Sequence, residues 1–255
     1  MGKIITTNIQ KGGCGKTTTT HELASQLKKM GKKCLAIDID PQQNLSRCSG
    51  SELVGYCSAL EMLRKECSAE DAIQNTSNYD IIPSNKSLKK ADREFTQPGD
   101  IFLLKKALKS VKDKYDFILI DTPPNLGILP QMALTAADYV IVPLEASANS
   151  LQGMGQLQEM IDQVKEDNFN TDLKTLGILL TRFTDRMIFN RVIKEQLEEI
   201  AKDMNTEVFE TYIRESVAVK ESQGYMKSLV EYSPDSNPAS DYQKFTYEFL
   251  EKVER

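Results

Sequence analysis

Residues 10–17 read Gln-Lys-Gly-Gly-Cys-Gly-Lys-Thr. Glycines at 12, 13 and 15 let the backbone curl until several N–H groups point inward, and such a cradle binds phosphate oxygens. Lys16 is placed to pair with the β and γ phosphates of a nucleoside triphosphate such as ATP, and the Thr17 hydroxyl to ligand Mg²⁺. A helix beginning near Thr17 adds its positive end, within reach of Thr18. The expected nucleotide contacts are therefore Lys11, Gly12, Gly13, Cys14, Gly15, Lys16, Thr17 and Thr18. The pattern is one residue short, because G-x-x-x-x-G-K-[ST] wants glycine where this chain has Gln10. Lys11, next along, is a second cation beside the concentrated negative field of a triphosphate.

Two apolar runs end in carboxylates. Cys34 to Ile37 leads into Asp38-Ile39-Asp40-Pro41-Gln42, and Phe117 to Ile120 into Asp121-Thr122-Pro123-Pro124. If both runs are strands of one parallel sheet, their carboxyl ends lie where an open α/β sheet binds its ligand. Asp121 then suits a carboxylate holding Mg²⁺ through water, together with Thr17. Asp40 is placed near the same ion and oriented to activate the water that attacks the γ phosphate. Taken singly, each aspartate could instead cap a helix or fill a turn. His21 is the only histidine, so Ser-His-Asp or zinc chemistry would have to be built around it. Its expected place is the first turns of the phosphate-loop helix.

Such a site needs strands alternating with helices. Lys3 to Asn8, Lys33 to Asp38, Asp80 to Pro83, Asp116 to Asp121, Tyr139 to Pro143 and Leu176 to Leu180 read as strands, most of them buried on both faces. Between them, apolar residues recur with a period near 3.6, as in Leu23, Leu27 and Met30, or Leu157, Met160, Ile161 and Val164. The pattern predicts an α/β fold: a mostly parallel twisted sheet with helices on both faces, in a single domain over 1–255. Residues 49–99 are more polar and should hold short helices around the Asp80 strand. Residues 232–242 read as a turn region before a last helix with Phe245, Phe249 and Val253 on one face.

The 255 residues are 40% hydrophobic, enough for a substantial core, and a formal charge of −5 excludes a protein coated in basic residues. Any DNA contact must be a local basic face. No run approaches a membrane span and the start lacks a signal-peptide plan, so a cytoplasmic protein without a membrane partner is expected. The five cysteines all lie at or before Cys67 and never form CxxC, which favours neither disulfides nor zinc. Gly2 and Thr6 fit a myristoylation pattern, but Ile4 and Ile5 belong to a strand that must be buried.

Lys11-Gly-Gly-Cys-Gly-Lys-Thr17, Asp38-Ile-Asp-Pro-Gln42 and Asp121-Thr-Pro-Pro124, in this order, resemble the ParA/Soj partition ATPases of the deviant Walker A (SIMIBI) class of P-loop NTPases, and the likeness runs over essentially the whole chain. The resemblance implies an ATP-dependent sandwich homodimer in which Lys11 of each subunit reaches the nucleotide of the other, so that Lys11, Lys16 and Asp40 form the catalytic set. It further implies non-specific DNA binding by the ATP-bound dimer, association with the nucleoid, and slow hydrolysis stimulated by a ParB-type centromere-binding protein, which moves plasmid or chromosomal cargo. Basic residues of the C-terminal half (Arg182, Arg186, Arg191, Lys194, Arg214, Lys220, Lys227) offer a DNA face, and similarity favours Arg186 and Lys220.

The chain departs from the family at several points. Relatives commonly carry Ile-Pro-Arg near adenine where this chain has Tyr212-Ile213-Arg214. A family arginine falls on Ala218, and Asn125 replaces a common serine. A membrane-positioning ATPase of the MinD type would need a basic amphipathic tail, which YQKFTYEFLEKVER is not. An iron protein of the nitrogenase type would need cysteines beyond Cys67. A small-molecule synthetase using the same loop stays open. With no helix-turn-helix before the first strand, sequence-specific repression is not expected.

Overall fold

The computed structural model describes residues 2–184 and 188–254. Among these residues seven strands form one sheet: β1 (Lys3–Thr7), β2 (Cys34–Asp38), β3 (Gln74–Asn75), β4 (Asp80–Ile82), β5 (Phe117–Asp121), β6 (Tyr139–Glu145) and β7 (Lys174–Thr181). Their spatial order is β3-β4-β2-β5-β1-β6-β7, all parallel except for the two-residue edge strand β3. β1 sits between β5 and β6, where the chain changes its direction of winding. In register, Thr7 pairs with Asp121 and Asp38 pairs with Asp121 from the other side, which brings three strand ends level.

Successive side chains of a strand point to opposite faces, and the core divides accordingly. Ile4, Leu35, Ile37, Ile118, Ile120, Val140 and Val142 face one apolar cluster, with the helices Ile128–Ala136, Ala148–Glu166 and Ile188–Asp203 beyond them. Ile5, Cys34, Ala36, Phe117, Leu119 and Ile141 face the other, built with Leu23 and Leu27 of the helix Lys16–Lys29 and Phe245, Phe249 and Val253 of the helix Asn237–Glu254. Both faces are therefore covered by helices, as near-continuous apolar strands require. Leu157, Met160, Ile161 and Val164 are all buried. Met30 is not on the stripe; it caps the first helix, its N–H donating to Gln26 O.

Short helices do fill the polar stretch around β4 (Ala59–Leu63, Ala69–Ala72, Ala91–Glu94). The expected turn over 232–242 is shorter than the composition suggested. Leu229–Tyr232 is helical and the last helix already begins at Asn237, because Pro238 in its first turn has no N–H to lose there.

A buried polar seam joins the first helix to the C-terminal segment. His21 Nδ1 lies 2.7 Å from Tyr79 Oη, and both Glu22 oxygens accept from Leu229 N–H at 3.1 Å. Burial drives His21 down to about 4 and Glu22 up to about 8, so both are neutral near pH 7. The signs are opposite. Neutral Glu22 gives stability that is full below its ordinary 4.5 and lost as pH rises through about 8, whereas neutral His21 gives stability present above 6.5 and lost as pH falls through about 4. Glu22→Gln keeps an acceptor for Leu229 and removes the titration. Its melting temperature relative to wild type should rise by about 3 °C or more between pH 5 and pH 8.5; a difference constant with pH would contradict the assignment.

Candidate functional site

The phosphate loop leaves the carboxyl end of β1 and enters the helix Lys16–Lys29. Gly13 (φ 75°) and Gly15 (φ 94°) are left-handed, and a Cβ on Gly15 would press on Thr181 Cγ2 at 3.3 Å, so the turn into the helix needs glycine there. No acidic residue occupies the first turn of that helix, which leaves its positive end facing the loop. The loop is also braced from β7, since Thr181 Oγ1 donates to Cys14 O at 2.8 Å. Cys14 itself is buried and faces inward, its thiol 3.1 Å from Lys11 O.

Lys16 is 6% exposed and its Nζ donates to the carbonyls of Ile9 (3.0 Å) and Lys11 (3.1 Å), so the cation is folded over the loop it serves. Thr17 Oγ1 donates to Asp121 Oδ2 at 2.7 Å. The other oxygen, Asp121 Oδ1, is buried without a hydrogen-bond partner. Burial first, then the nearby Asp38, push the Asp121 carboxyl well above the usual range, against the lowering effects of Thr17 and Lys16. An unpaired buried carboxylate oxygen is costly, and a hard divalent cation beside it removes that cost. Among the described residues no cluster of three or more His, Cys, Asp or Glu could cage a metal. The hard oxygens of Thr17 and Asp121 fit Mg²⁺, which uses one or two protein oxygens and completes its shell with water and phosphate.

The two aspartates at the end of β2 and just beyond it divide their work. Asp38 accepts from Ser46 N–H (2.8 Å), Ser46 Oγ–H (2.7 Å) and Asp40 N–H (3.0 Å), so it braces the loop. Among the described residues the Asp40 side chain accepts only from Gln42 N–H, at 2.9 Å, and it lines a cavity of about 550 Å³. Gly12, Gly13, Gly15, Lys16, Thr17 and Thr18 line that cavity with it. Thus Asp40, Thr17 and the loop converge, while Asp121 lies behind Thr17.

Lys11 does not line this cavity. Its Nζ donates to Ser147 Oγ at 2.8 Å and lies 3.9 Å from Glu145 Oε2, at the end of β6. Arg47, Arg182 and Gln223 do line it and were not assigned to the nucleotide from the sequence. Arg182 read as a DNA candidate; it sits at φ 51° just after β7, paired with Glu145 at 3.7 Å. Only the fold brings residues 47, 182 and 223 to the loop, so periodicity could not have found them. Arg186 lies outside the described residues. Lys220 is exposed on the helix Val217–Gly224, at the rim of a second, smaller cavity shared with Gly15, Thr18, Ile213 and Tyr242. Arg214, another basic candidate, is held by Asp241 (Nη2–Oδ1 2.6 Å, Nε–Oδ2 2.9 Å).

A family model described as an AAA domain matches residues 2–175. The sporulation initiation inhibitor protein Soj of Bacillus subtilis is 37% identical over 247 residues, covering 95% of this chain and 96% of Soj. A plasmid partition protein from Borrelia burgdorferi superposes with a TM-score of 0.76 at 27% identity, over 98% of this chain and 99% of that one. The cobyrinic acid a,c-diamide synthase of Mycobacterium smegmatis, with a bound ATP analogue and magnesium, superposes with a TM-score of 0.86 at 28% identity, over 99% of this chain and 96% of the synthase.

Proposed function

This chain belongs to the Soj/ParA family of P-loop partition ATPases, and we propose that it acts as one ATPase domain over residues 1–255 that dimerises around ATP, binds DNA without sequence preference in that state, and is released when a ParB-type centromere-binding partner stimulates hydrolysis. The observation that carries the reading is the split between the two lysines. Lys16 covers its own phosphate loop, whereas Lys11 points away from it toward Ser147 and Glu145. A cation held at the edge of the crevice is available to a nucleotide on a facing subunit.

In this reading Gly12, Gly13, Cys14 and Gly15 present backbone N–H groups to phosphate, Lys16 pairs with the β and γ oxygens, and Thr18 closes the first helical turn over them. Mg²⁺, held by Thr17 and, through water, by Asp121 and Asp40, would supply positive charge against the leaving phosphates. Asp40 orients the attacking water and takes up its proton, while Lys11 from the second subunit completes the charge around the γ phosphate. Hydrolysis is therefore slow until the shared site is fully assembled.

Among the described residues no helix is long and apolar enough to cross a membrane. The apolar face of the last helix is packed in the core, which leaves it unavailable as a MinD-type membrane anchor. The identity to Soj extends over nearly the whole chain and exceeds that to the synthase, which favours partition over small-molecule synthesis. DNA contacts are proposed at Arg186 and Lys220, to phosphates rather than bases.

The test is retention of unrelated DNA fragments at low salt with no nucleotide, ADP or ATP, for wild type and Lys11→Ala. Wild type should hold DNA only with ATP, with a log affinity that falls by about 0.9 per phosphate contact per decade of salt. Lys11→Ala should bind ATP within about threefold of wild type yet fail to dimerise or hold DNA, with turnover reduced ~100-fold. Equal DNA binding in every nucleotide state would sink the proposal.

A further inference from the structure

The three threonine hydroxyls after Thr17 are used differently. Thr20 Oγ1 donates back to Lys16 O at 3.1 Å, as hydroxyls inside helices commonly do, and Thr19 Oγ1 is hydrogen-bonded to Tyr242 Oη at 3.4 Å. Thr18 Oγ1 instead accepts, from Gln223 Nε2 at 2.9 Å, and among the described residues it donates to no protein acceptor. Thr18 and Gln223 both line the cavity that contains the phosphate loop. A hydroxyl has one proton and two lone pairs. With an N–H seated on a lone pair, the proton of Thr18 is left for an acceptor in the cavity.

Gln223 is carried by an anchored segment. It lies on the helix Val217–Gly224, which is capped by Ser216 Oγ accepting from Ala218 N–H at 3.3 Å. Beyond that helix, Asn78 Nδ2 donates to Met226 O at 3.1 Å and Leu229 N–H donates to Glu22, four residues after Thr18. Thr18 and Glu22 therefore lie on one side of the first helix and dock the same C-terminal segment one turn apart.

We infer that Gln223 is a positioning residue for the nucleotide grip: its amide N–H turns the Thr18 hydroxyl so that its proton is offered to a nucleotide phosphate oxygen. This rests on the nucleotide reading of the same cavity. It also ties the segment bearing Lys220 to the first turn of the phosphate-loop helix, through a contact between residues 205 positions apart.

The experiment is calorimetric titration of the full chain with Mg-ADP, for wild type, Gln223→Ala, Gln223→Glu, Thr18→Val and the double variant Thr18→Val with Gln223→Ala. Gln223→Ala should weaken binding about 3- to 10-fold, the worth of one neutral hydrogen bond. Gln223→Glu should weaken it by ~30-fold or more at pH 8, because a carboxylate only accepts, draws the Thr18 proton toward itself and adds charge facing phosphate. That loss, taken relative to wild type at the same pH, should shrink toward pH 5 as the carboxyl regains a proton to donate. In the Thr18→Val background, Gln223→Ala should cost nothing further.

Near-wild-type affinity in both Gln223 variants would overturn the inference. So would a loss in Gln223→Glu that ignores pH, or a full Gln223→Ala loss without the Thr18 hydroxyl. Wild-type protein that fails to bind Mg-ADP would overturn the nucleotide reading itself, an outcome separate from wild type binding and the variants matching it.

Discussion

Lys16→Ala is expected to weaken ATP binding by about 100- to 1,000-fold and to abolish every ATP-dependent property that follows from it. Lys16 is folded directly over the loop, with Nζ within 3.1 Å of two loop carbonyls. Moving from those carbonyls to phosphate oxygens needs only a rotation of the side chain, and each charge-assisted hydrogen bond gained is worth about 1.5–3 kcal/mol. Two such bonds near the lower end of that range, about 3–4 kcal/mol together, give the stated loss. The fold should survive, because Lys16 lines the cavity and water entering in place of its ammonium can donate to the carbonyls of Ile9 and Lys11. Calorimetric titration with ATP reads the loss, and an affinity within threefold of wild type in a folded variant would remove Lys16 from the proposed site.

The second large effect separates binding from turnover. Asp40→Ala should bind ATP nearly as wild type does, hydrolyse it about 100- to 1,000-fold more slowly, and accumulate as a dimer with ATP. Asp40 borders the cavity and among the described residues its side chain has a single donor, Gln42 N–H, so its removal leaves the brace around Asp38 and Ser46 standing. Thr17 and Asp121 remain to hold Mg²⁺ when the water-mediated share of Asp40 is lost. Asp40→Asn keeps an acceptor for Gln42 and controls for loop collapse. Phosphate release gives the rate and light scattering after gel filtration gives the dimer. Loss of nucleotide binding in Asp40→Ala would assign Asp40 to binding, whereas wild-type turnover would remove it from the chemistry.

Chain-local information carried much of this site. The loop from Gly12 to Thr18 is contiguous, and its glycines, lysine and hydroxyls must fold together wherever a strand feeds a helix. The parallel sheet was equally legible, because strands buried on both faces leave an unbroken apolar run such as Phe117 to Ile120. The edge strand Gln74–Asn75 was not: one half-buried and one exposed polar residue leave no periodicity to read. The early start of the last helix was hidden for a related reason, since Asn237, Pro238 and Ser240 spell a turn in composition while packing decides that they begin a helix.

The sequence by itself determined the phosphate chemistry, the strand-end carboxylates and the family, because each depends on residues adjacent in the chain. Only the tertiary structure decided how those residues divide their roles. It made Asp38 a brace and left Asp40 facing the cavity, sent Lys11 toward Glu145, and locked Arg214 onto Asp241. It also brought Arg182 and Gln223 to a loop that lies more than 160 residues away in the chain. The physical reason is that these roles are set by which lone pairs and protons already have partners, and partners at that separation are chosen by the register of the sheet and the docking of the C-terminal helices, on which local sequence is silent.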